Sequence, residues 1–146
     1  SSDLCGMNKV VYISRGGNTK KLADAIAKGA GVPAVPVEHP NTLEATDTLF
    51  VGASVYAGNI DGKMRQFLGA LKPSQVKRVV VFGTSAGKKT ALPEVKSILA
   101  AHCIAVSEEE FHCKGSFLLV NRGRPNEEDM KQAEAFARKF AAGVHE

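Results

Sequence analysis

Tryptophan is absent from this sequence of 146 residues, and only 6% of the residues are aromatic. Proteins that bind single-stranded nucleic acid interleave aromatic side chains with a basic groove, so that bases stack on the rings. Here the lysines are spread along the chain, no run of five or more basic residues occurs, and the net charge is +4. The composition therefore argues against a nucleic-acid partner, and we expect the charge to belong to a solvated surface.

Cysteine is also scarce, with three residues at Cys5, Cys103 and Cys113. An odd number at wide spacing fits neither a disulfide framework nor a zinc site. The four histidines show no ligand spacing, so no metal site is expected. This cysteine usage predicts a reducing compartment, for which the cytoplasm is the simplest location.

Long apolar runs are missing as well. None approaches the about 20 residues that span a bilayer, so no membrane insertion is expected. The N-terminus lacks the layout of a signal peptide, and we expect residues 1–8 to form a leader before the first strand. The length predicts a single domain over 1–146, with enough chain to bury a substantial core.

Apolar runs with strand character alternate with helical segments along the whole chain. The predicted strands cover 10–13, 32–37, 48–53, 78–83 and 103–114, the last with a break near 107–110. The first predicted helix follows a turn at 14–19 and carries Leu22, Ala23, Ile26 and Ala27 on one face. The other predicted helices cover 61–71, 92–101 and 127–142. This alternation predicts a three-layer α/β fold, in which helices cover both faces of a doubly wound, five-stranded parallel sheet.

Three loops that follow the first, third and fourth predicted strands are rich in glycine and small polar residues. They cover 14–19, 54–59 and 84–89. Because the strands are parallel, these loops emerge at one edge of the sheet, where such folds bind ligands at the switch point in strand order. The three loops together therefore predict a binding site.

The first of these loops has the chemistry of an anion site. A strand that runs into a helix through a short turn leaves backbone N–H groups free at the positive end of the helix. Gly16 and Gly17 let a ligand approach the backbone closely. Further donors and charge come from Ser14, Arg15, Asn18 and Thr19. The alternative is an ordinary turn in which Asn18 or Thr19 caps the helix.

Other families with this topology lack support in the sequence. The dinucleotide fingerprint G-x-G-x-x-G does not follow the first strand. Residues 83–90 approach a P-loop but have one spacer too few and an extra lysine. The acidic residues of receiver domains and the first-loop nucleophilic cysteine of low-molecular-weight phosphatases are also missing.

What remains is a resemblance to the flavodoxins, from about residue 8 to about residue 142. The turn at 14–19 is similar to their phosphate loop T/S-x-T-G-x-T, with Gly16 where threonine is common. Residues 55–59 resemble the first loop that flanks the flavin, and residues 84–87 resemble the second. Because no long insertion divides the fifth strand, the resemblance is to short-chain bacterial flavodoxin-like proteins.

This resemblance implies the strand order 2-1-3-4-5 and FMN as the cofactor. It implies no catalytic residue, and Tyr56 is expected to stack on one face of the flavin ring. The cofactor-binding residues that it implies are Ser14, Arg15, Gly16, Gly17, Asn18, Thr19, Ser54, Val55, Tyr56, Ala57, Gly58, Thr84, Ser85, Ala86 and Gly87.

The function that the resemblance implies is electron transfer by an FMN-binding carrier, with redox proteins or a small electron acceptor as partners. Two alternatives stay open. Residues 52–58 also resemble a loop of the menaquinone-dependent protoporphyrinogen dehydrogenases, which favours an FMN-dependent reductase or dehydrogenase acting on a quinone or similar acceptor. Gly16 keeps open a phosphate-binding relative that has lost flavin.

Overall fold

The structure is a computed structural model that describes residues 8–14, 17–37, 46–56, 59–85, 90–114 and 125–141, with only the backbone for 56, 85, 114 and 141. No helix among these residues is long and apolar enough to cross a membrane. In chain order the elements are β1 (Asn8–Tyr12), α1 (Asn18–Ala30), β2 (Ala34–Pro36), β3 (Thr46–Tyr56), β4 (Asn59–Ile60), α2 (Gly62–Gly69), β5 (Val76–Ser85), α3 (Leu92–Ala100), β6 (Ala105–Lys114) and α4 (Glu127–Ala141).

Five strands run parallel in the order β2-β1-β3-β5-β6. This confirms the predicted order 2-1-3-4-5, because β5 and β6 are the fourth and fifth strands of the sequence prediction. The chain adds β2 on one side of β1 and β3 on the other. The switch point of the sheet therefore lies between the carboxyl ends of β1 and β3.

Two helices cover each face of the sheet. α1 and α4 pack on one face over buried residues such as Val10, Phe50 and Phe82. α2 and α3 pack on the other face over residues such as Leu49 and Val81. Alternate residues of β3 and β5 join the two clusters, which explains why both strands are apolar on both faces.

The sheet has one more strand than predicted. β3 continues through Tyr56 and returns as the short antiparallel β4, with Val55 opposite Ile60 and Tyr56 opposite Asn59. The prediction of a loop over 54–59 is thus wrong for residues 54–56 and 59. The loop predicted over 84–89 is likewise wrong for residues 84 and 85, which end β5. Val55 and Tyr56 favour extended backbone, and the ladder with β4 extends the strand. Asn8 lies in β1 and does not belong to a leader.

The predicted break in the last strand is a β-bulge in β6. Val79 of β5 pairs with Val106, but Val81 pairs with Glu110, so the register shifts between them. Extra residues in one strand of a pair bend that strand and leave part of it without ladder partners. The extra residues come from the 107–109 segment.

Two carboxylates of this bulge reach helices on opposite faces of the sheet. Glu108 forms an ion pair with Lys96 of α3, at 2.7 Å, and Glu109 forms one with Lys139 of α4, at 2.5 Å. Both glutamates are exposed, as expected for a solvated segment. Exposed pairs of this kind contribute at most about 1 kcal/mol each.

A glycine inside α1 allows α4 to approach closely. Gly31 ends α1 with a φ of +76°, whereas Gly29 lies within the helix. A Cβ atom at Gly29 would lie 2.1 Å from the carbonyl oxygen of Glu134 and 3.0 Å from Cβ of Ala137. The backbones of α1 and α4 can therefore meet only because residue 29 has no side chain.

We expect Gly29→Ala to destabilise the protein, although alanine is the better helix former by about 1 kcal/mol. The added methyl group meets a backbone carbonyl that cannot turn away, and overpacking of this kind costs about 1–3 kcal/mol. Urea unfolding would measure the difference. The control is Gly69→Ala, because a Cβ atom there meets nothing within 4 Å. A gain of stability in Gly29→Ala would show that the helix contact is looser than described.

Candidate functional site

The turn after β1 ends in Gly17, which sets the start of α1. Gly17 has a φ of +89°, and its N–H donates to the Ser14 hydroxyl at 3.0 Å. Gly17 is the N-cap, so the alternative in which Asn18 or Thr19 caps the helix is wrong. The reason is that glycine tolerates positive φ, which lets the helix begin directly after it. The first turn of α1 contains no acidic residue to offset its positive end.

Three hydroxyls from three different elements meet beneath this turn. Thr19 Oγ1 of α1 lies 2.5 Å from Ser54 Oγ of β3 and 3.3 Å from Thr84 Oγ1 of β5. Ser54 Oγ and Thr84 Oγ1 are 3.1 Å apart. We call these residues the hydroxyl cluster. It links the start of α1 to the carboxyl ends of β3 and β5.

The pairing of β3 with β5 brings two members of the cluster together, and α1 supplies the third. Ser54 and Thr84 are direct partners in the β3–β5 ladder, so their side chains rise on the same face. That face is the one covered by α1, whose second residue is Thr19. All three side chains are buried, and each hydroxyl finds its partners within the cluster.

An open cleft of about 460 Å³ lies beside the turn, at the carboxyl ends of β1 and β2. It is lined by Tyr12, Ile13, Ser14, Gly17, Lys20, Pro36, Val37 and Lys63. Among the described residues of this lining there are two lysines and no carboxylate, which favours an anion in the cleft. The sequence analysis missed Lys63, because its closeness to the turn depends on how α2 packs over β1.

An ion pair holds β4 against the start of α3. Glu94 of α3 accepts hydrogen bonds from the Ile60 N–H at 3.0 Å and from Arg65 Nε at 3.0 Å. Arg65 also donates to the Ile60 carbonyl at 3.1 Å. Together these bonds fix the return strand of the β3–β4 hairpin, and hence the end of β3 that leads out of the site.

Glu110 of β6 is held beside Thr90, two residues before the start of α3. Its carboxylate accepts a hydrogen bond from the Thr90 hydroxyl at 3.1 Å. Burial raises the pKa of Glu110 above its ordinary value of 4.5, and the Thr90 hydrogen bond offsets part of that rise. The folded protein therefore holds this proton more tightly than the unfolded chain does.

This raised pKa gives a testable pH dependence. As the pH rises from about 4.5 towards the folded pKa, the unfolded chain loses the Glu110 proton first, so the free energy of unfolding should fall. Glu110→Gln should remove this decrease and stabilise the protein above that window. Urea unfolding at several pH values would measure it, with the exposed Glu108→Gln as the control. Equal slopes in wild type and Glu110→Gln would contradict the assignment.

The other predicted site residues are distributed as follows. Asn18 is the first residue of α1, and Val55 packs at the edge of the core under α2 and α3. Only the backbone of Tyr56 and Ser85 is described, in β3 and β5. Arg15, Gly16, Ala57, Gly58, Ala86 and Gly87 lie outside the described residues.

These features define a doubly wound α/β protein with a donor-rich turn and a hydroxyl cluster at the switch point of its sheet. The chain belongs to the flavodoxin domain family, whose model matches residues 9–109. An uncharacterized protein of Methanocaldococcus jannaschii, MJ0298, is 28% identical, and the match covers 84% of this chain and 89% of that protein.

Solved structures agree with this fold. A flavodoxin from the domain Archaea superposes with a TM-score of 0.74 and 21% identity, covering 94% of this chain and 97% of that one. The rubredoxin oxygen:oxidoreductase of Desulfovibrio gigas superposes with a TM-score of 0.75 and 16% identity. That match covers 95% of this chain but 36% of the larger protein.

Proposed function

We propose that this protein binds FMN at the carboxyl edge of its sheet and transfers electrons. The observation that carries the proposal is the meeting of α1, β3 and β5 at the hydroxyl cluster, directly beneath a turn that has no acidic residue. Such an edge suits a ligand that joins a phosphate to a flat ring. Membership of the flavodoxin domain family supports the same ligand.

The residues around the turn fit a phosphate ester. A phosphate carries about −1.5 to −2 charge and accepts hydrogen bonds only. The Ser14 oxygen accepts from Gly17, which leaves the Ser14 proton available for donation. The N–H groups at the start of α1 and the lysines of the cleft add donors and positive charge.

FMN, when bound, supplies the redox chemistry, and the protein supplies binding and orientation. Backbone groups at the ends of β3 and β5 would lie along the flavin, and Tyr56 would stack on it. The Glu94–Arg65 pair fixes β4 and so limits how far the end of β3 can move. A strand end that is held in place before binding reduces the ordering cost of binding.

Titration of the purified protein with FMN and with riboflavin tests the proposal. The expected result is one FMN per chain, with a shifted flavin spectrum and at least roughly ten-fold weaker binding of riboflavin, since each lost charged hydrogen bond costs about 1.5–3 kcal/mol. Equal affinities would contradict the phosphate site. Turnover of NAD(P)H with a quinone by the loaded protein would instead favour the oxidoreductase alternative.

Lys63 offers a prediction that separates the charge of the cleft from the rest of the site. Lys63→Gln should weaken FMN binding by roughly two- to five-fold at low salt and leave riboflavin binding unchanged, because exposed charges contribute about 0.2–1 kcal/mol. The difference should shrink as salt is added. Lys72→Gln is the control, since Lys72 follows α2 and does not line the cleft. An equal loss in both variants would assign the effect to net charge.

A further inference from the structure

The hydroxyl cluster has three hydroxyl protons and three contacts between hydroxyl oxygens. Each hydroxyl carries one proton and can also accept. Three protons can therefore satisfy the three contacts of Thr19, Ser54 and Thr84 as a closed ring, in which each hydroxyl donates to the next. Without a ligand, no buried donor of the cluster is left unpaired.

Exposure identifies which member can leave the ring to face a ligand. The exposed fraction is 0% for Thr19, 2% for Thr84 and 6% for Ser54. Ser54 is the most accessible of the three, while Thr19 is fully covered. A phosphate above the cluster would therefore accept a hydrogen bond from the Ser54 hydroxyl.

Each contact of the ring can be donated from either side, and one direction of donation suits a ligand that faces Ser54. If Ser54 turns its proton outward, it gives up its bond either to Thr84, at 3.1 Å, or to Thr19, at 2.5 Å. Giving up the longer contact costs less. The remaining bonds then run from Thr84 to Thr19, at 3.3 Å, and from Thr19 to Ser54.

We propose that Thr84 is a positioning residue for phosphate binding, which acts through Thr19 and Ser54 without touching the ligand. Its hydroxyl donates to Thr19, Thr19 donates to Ser54, and Ser54 donates to the phosphate. Each acceptor in such a chain becomes a better donor, and the low dielectric of a buried site strengthens the effect. This inference rests on the proposed function, because it needs a phosphate at the turn.

The place of Thr84 in the fold suits this role. It is the ladder partner of Ser54 on β3 and of Cys113 on β6, and both Thr84 and Cys113 are buried. A valine would have nearly the same shape at this position but could not donate. Removal of the hydroxyl alone should therefore leave the β3–β5 ladder intact. The series of hydrogen bonds would then begin at Thr19.

The experiment compares FMN and riboflavin affinities in Thr84→Val, Thr84→Ser, Ser54→Ala and the double variant Ser54→Ala/Thr84→Val. Thr84→Val should weaken FMN binding by roughly three- to ten-fold and change riboflavin binding by less than about two-fold. Thr84→Ser should restore FMN binding. In the Ser54→Ala background, Thr84→Val should cause no further loss of FMN affinity, because without the Ser54 hydroxyl the series of hydrogen bonds no longer reaches the phosphate.

Thr48→Val is the matched control. Thr48 is also buried in β3, but its hydroxyl accepts from Arg78 at 2.7 Å near the start of the strand. The Thr48→Val variant should leave the ratio of the FMN and riboflavin affinities unchanged. Thermal unfolding without flavin confirms that each variant folds, and Thr84→Ala replaces Thr84→Val if the latter does not.

Three results would overturn the inference. Equal losses of FMN and riboflavin in Thr84→Val would make Thr84 a packing residue. Independent, additive losses from Ser54→Ala and Thr84→Val would mean that the two do not act in one chain. If wild type does not prefer FMN to riboflavin, the proposed function fails, and the inference fails with it.

Discussion

Phe82→Ala should lower the free energy of unfolding by about 3–5 kcal/mol, the range for deleting a buried phenylalanine. Phe82 is fully buried in β5, on the face covered by α1 and α4. Its ring lies against Gly52 of β3, where an added Cβ atom would come within 2.3 Å of it. The ring thus fills the space that the missing side chain at 52 leaves open. Urea unfolding would measure the loss.

A second variant tests whether this contact is specific. Gly52→Ala alone should be strongly destabilising, because its methyl group meets the Phe82 ring. Gly52→Ala in the Phe82→Ala background should cost much less, since the ring is gone. The double-mutant cycle therefore should show a coupling of about 1 kcal/mol or more. Additive losses would mean that residues 52 and 82 do not share this space.

Gly83→Ala should destabilise the protein by about 3 kcal/mol and also impair the site. A Cβ atom at residue 83 would lie 2.1 Å from the carbonyl oxygen of Ala53, which belongs to the sheet backbone and cannot move aside alone. Gly83 and Ala53 immediately precede Thr84 and Ser54. Relief of the clash would therefore separate the two hydroxyls and weaken FMN binding more than riboflavin binding.

Gly62→Ala is the control for this substitution. Residue 62 begins α2, and a Cβ atom there meets nothing within 4 Å. It should leave both stability and the ratio of flavin affinities close to wild type. If Gly83→Ala lost stability but kept the FMN preference, then Ser54 and Thr84 would not need their present spacing.

The strand order was predictable because alternating strands and helices with right-handed crossovers allow few arrangements. For the same reason, the meeting of Ser54 and Thr84 at one edge followed from the sequence. Two features did not follow from it. β4 has two residues, too few to show a period, and the contact of Thr19 with both strands depends on how α1 packs.

The start of α1 shows a further limit of sequence patterns. Asn18 and Thr19 are good capping residues, so a cap at one of them was the alternative interpretation of this turn. The positive φ of Gly17 instead begins the helix one residue earlier and places Thr19 inside it. As the second residue of this helix, Thr19 contributes its hydroxyl to the hydroxyl cluster. The capping preference of Asn18 and Thr19 competed with the positive φ that Gly17 tolerates, and Gly17 decided where the helix begins.

The bulge in β6 has a consequence for how copies of this protein meet. Among the described strands, β6 lies at one end of the sheet order. The outer row of backbone N–H and C=O groups of an edge strand is where another extended chain can add to a sheet. The register shift interrupts that row, and Glu108 and Glu109, tied to helices on both faces, put charge beside it. An incoming strand would meet a kinked, charged border. The β6 edge thereby resists edge-to-edge sheet growth between molecules, even though the central strands are strongly apolar.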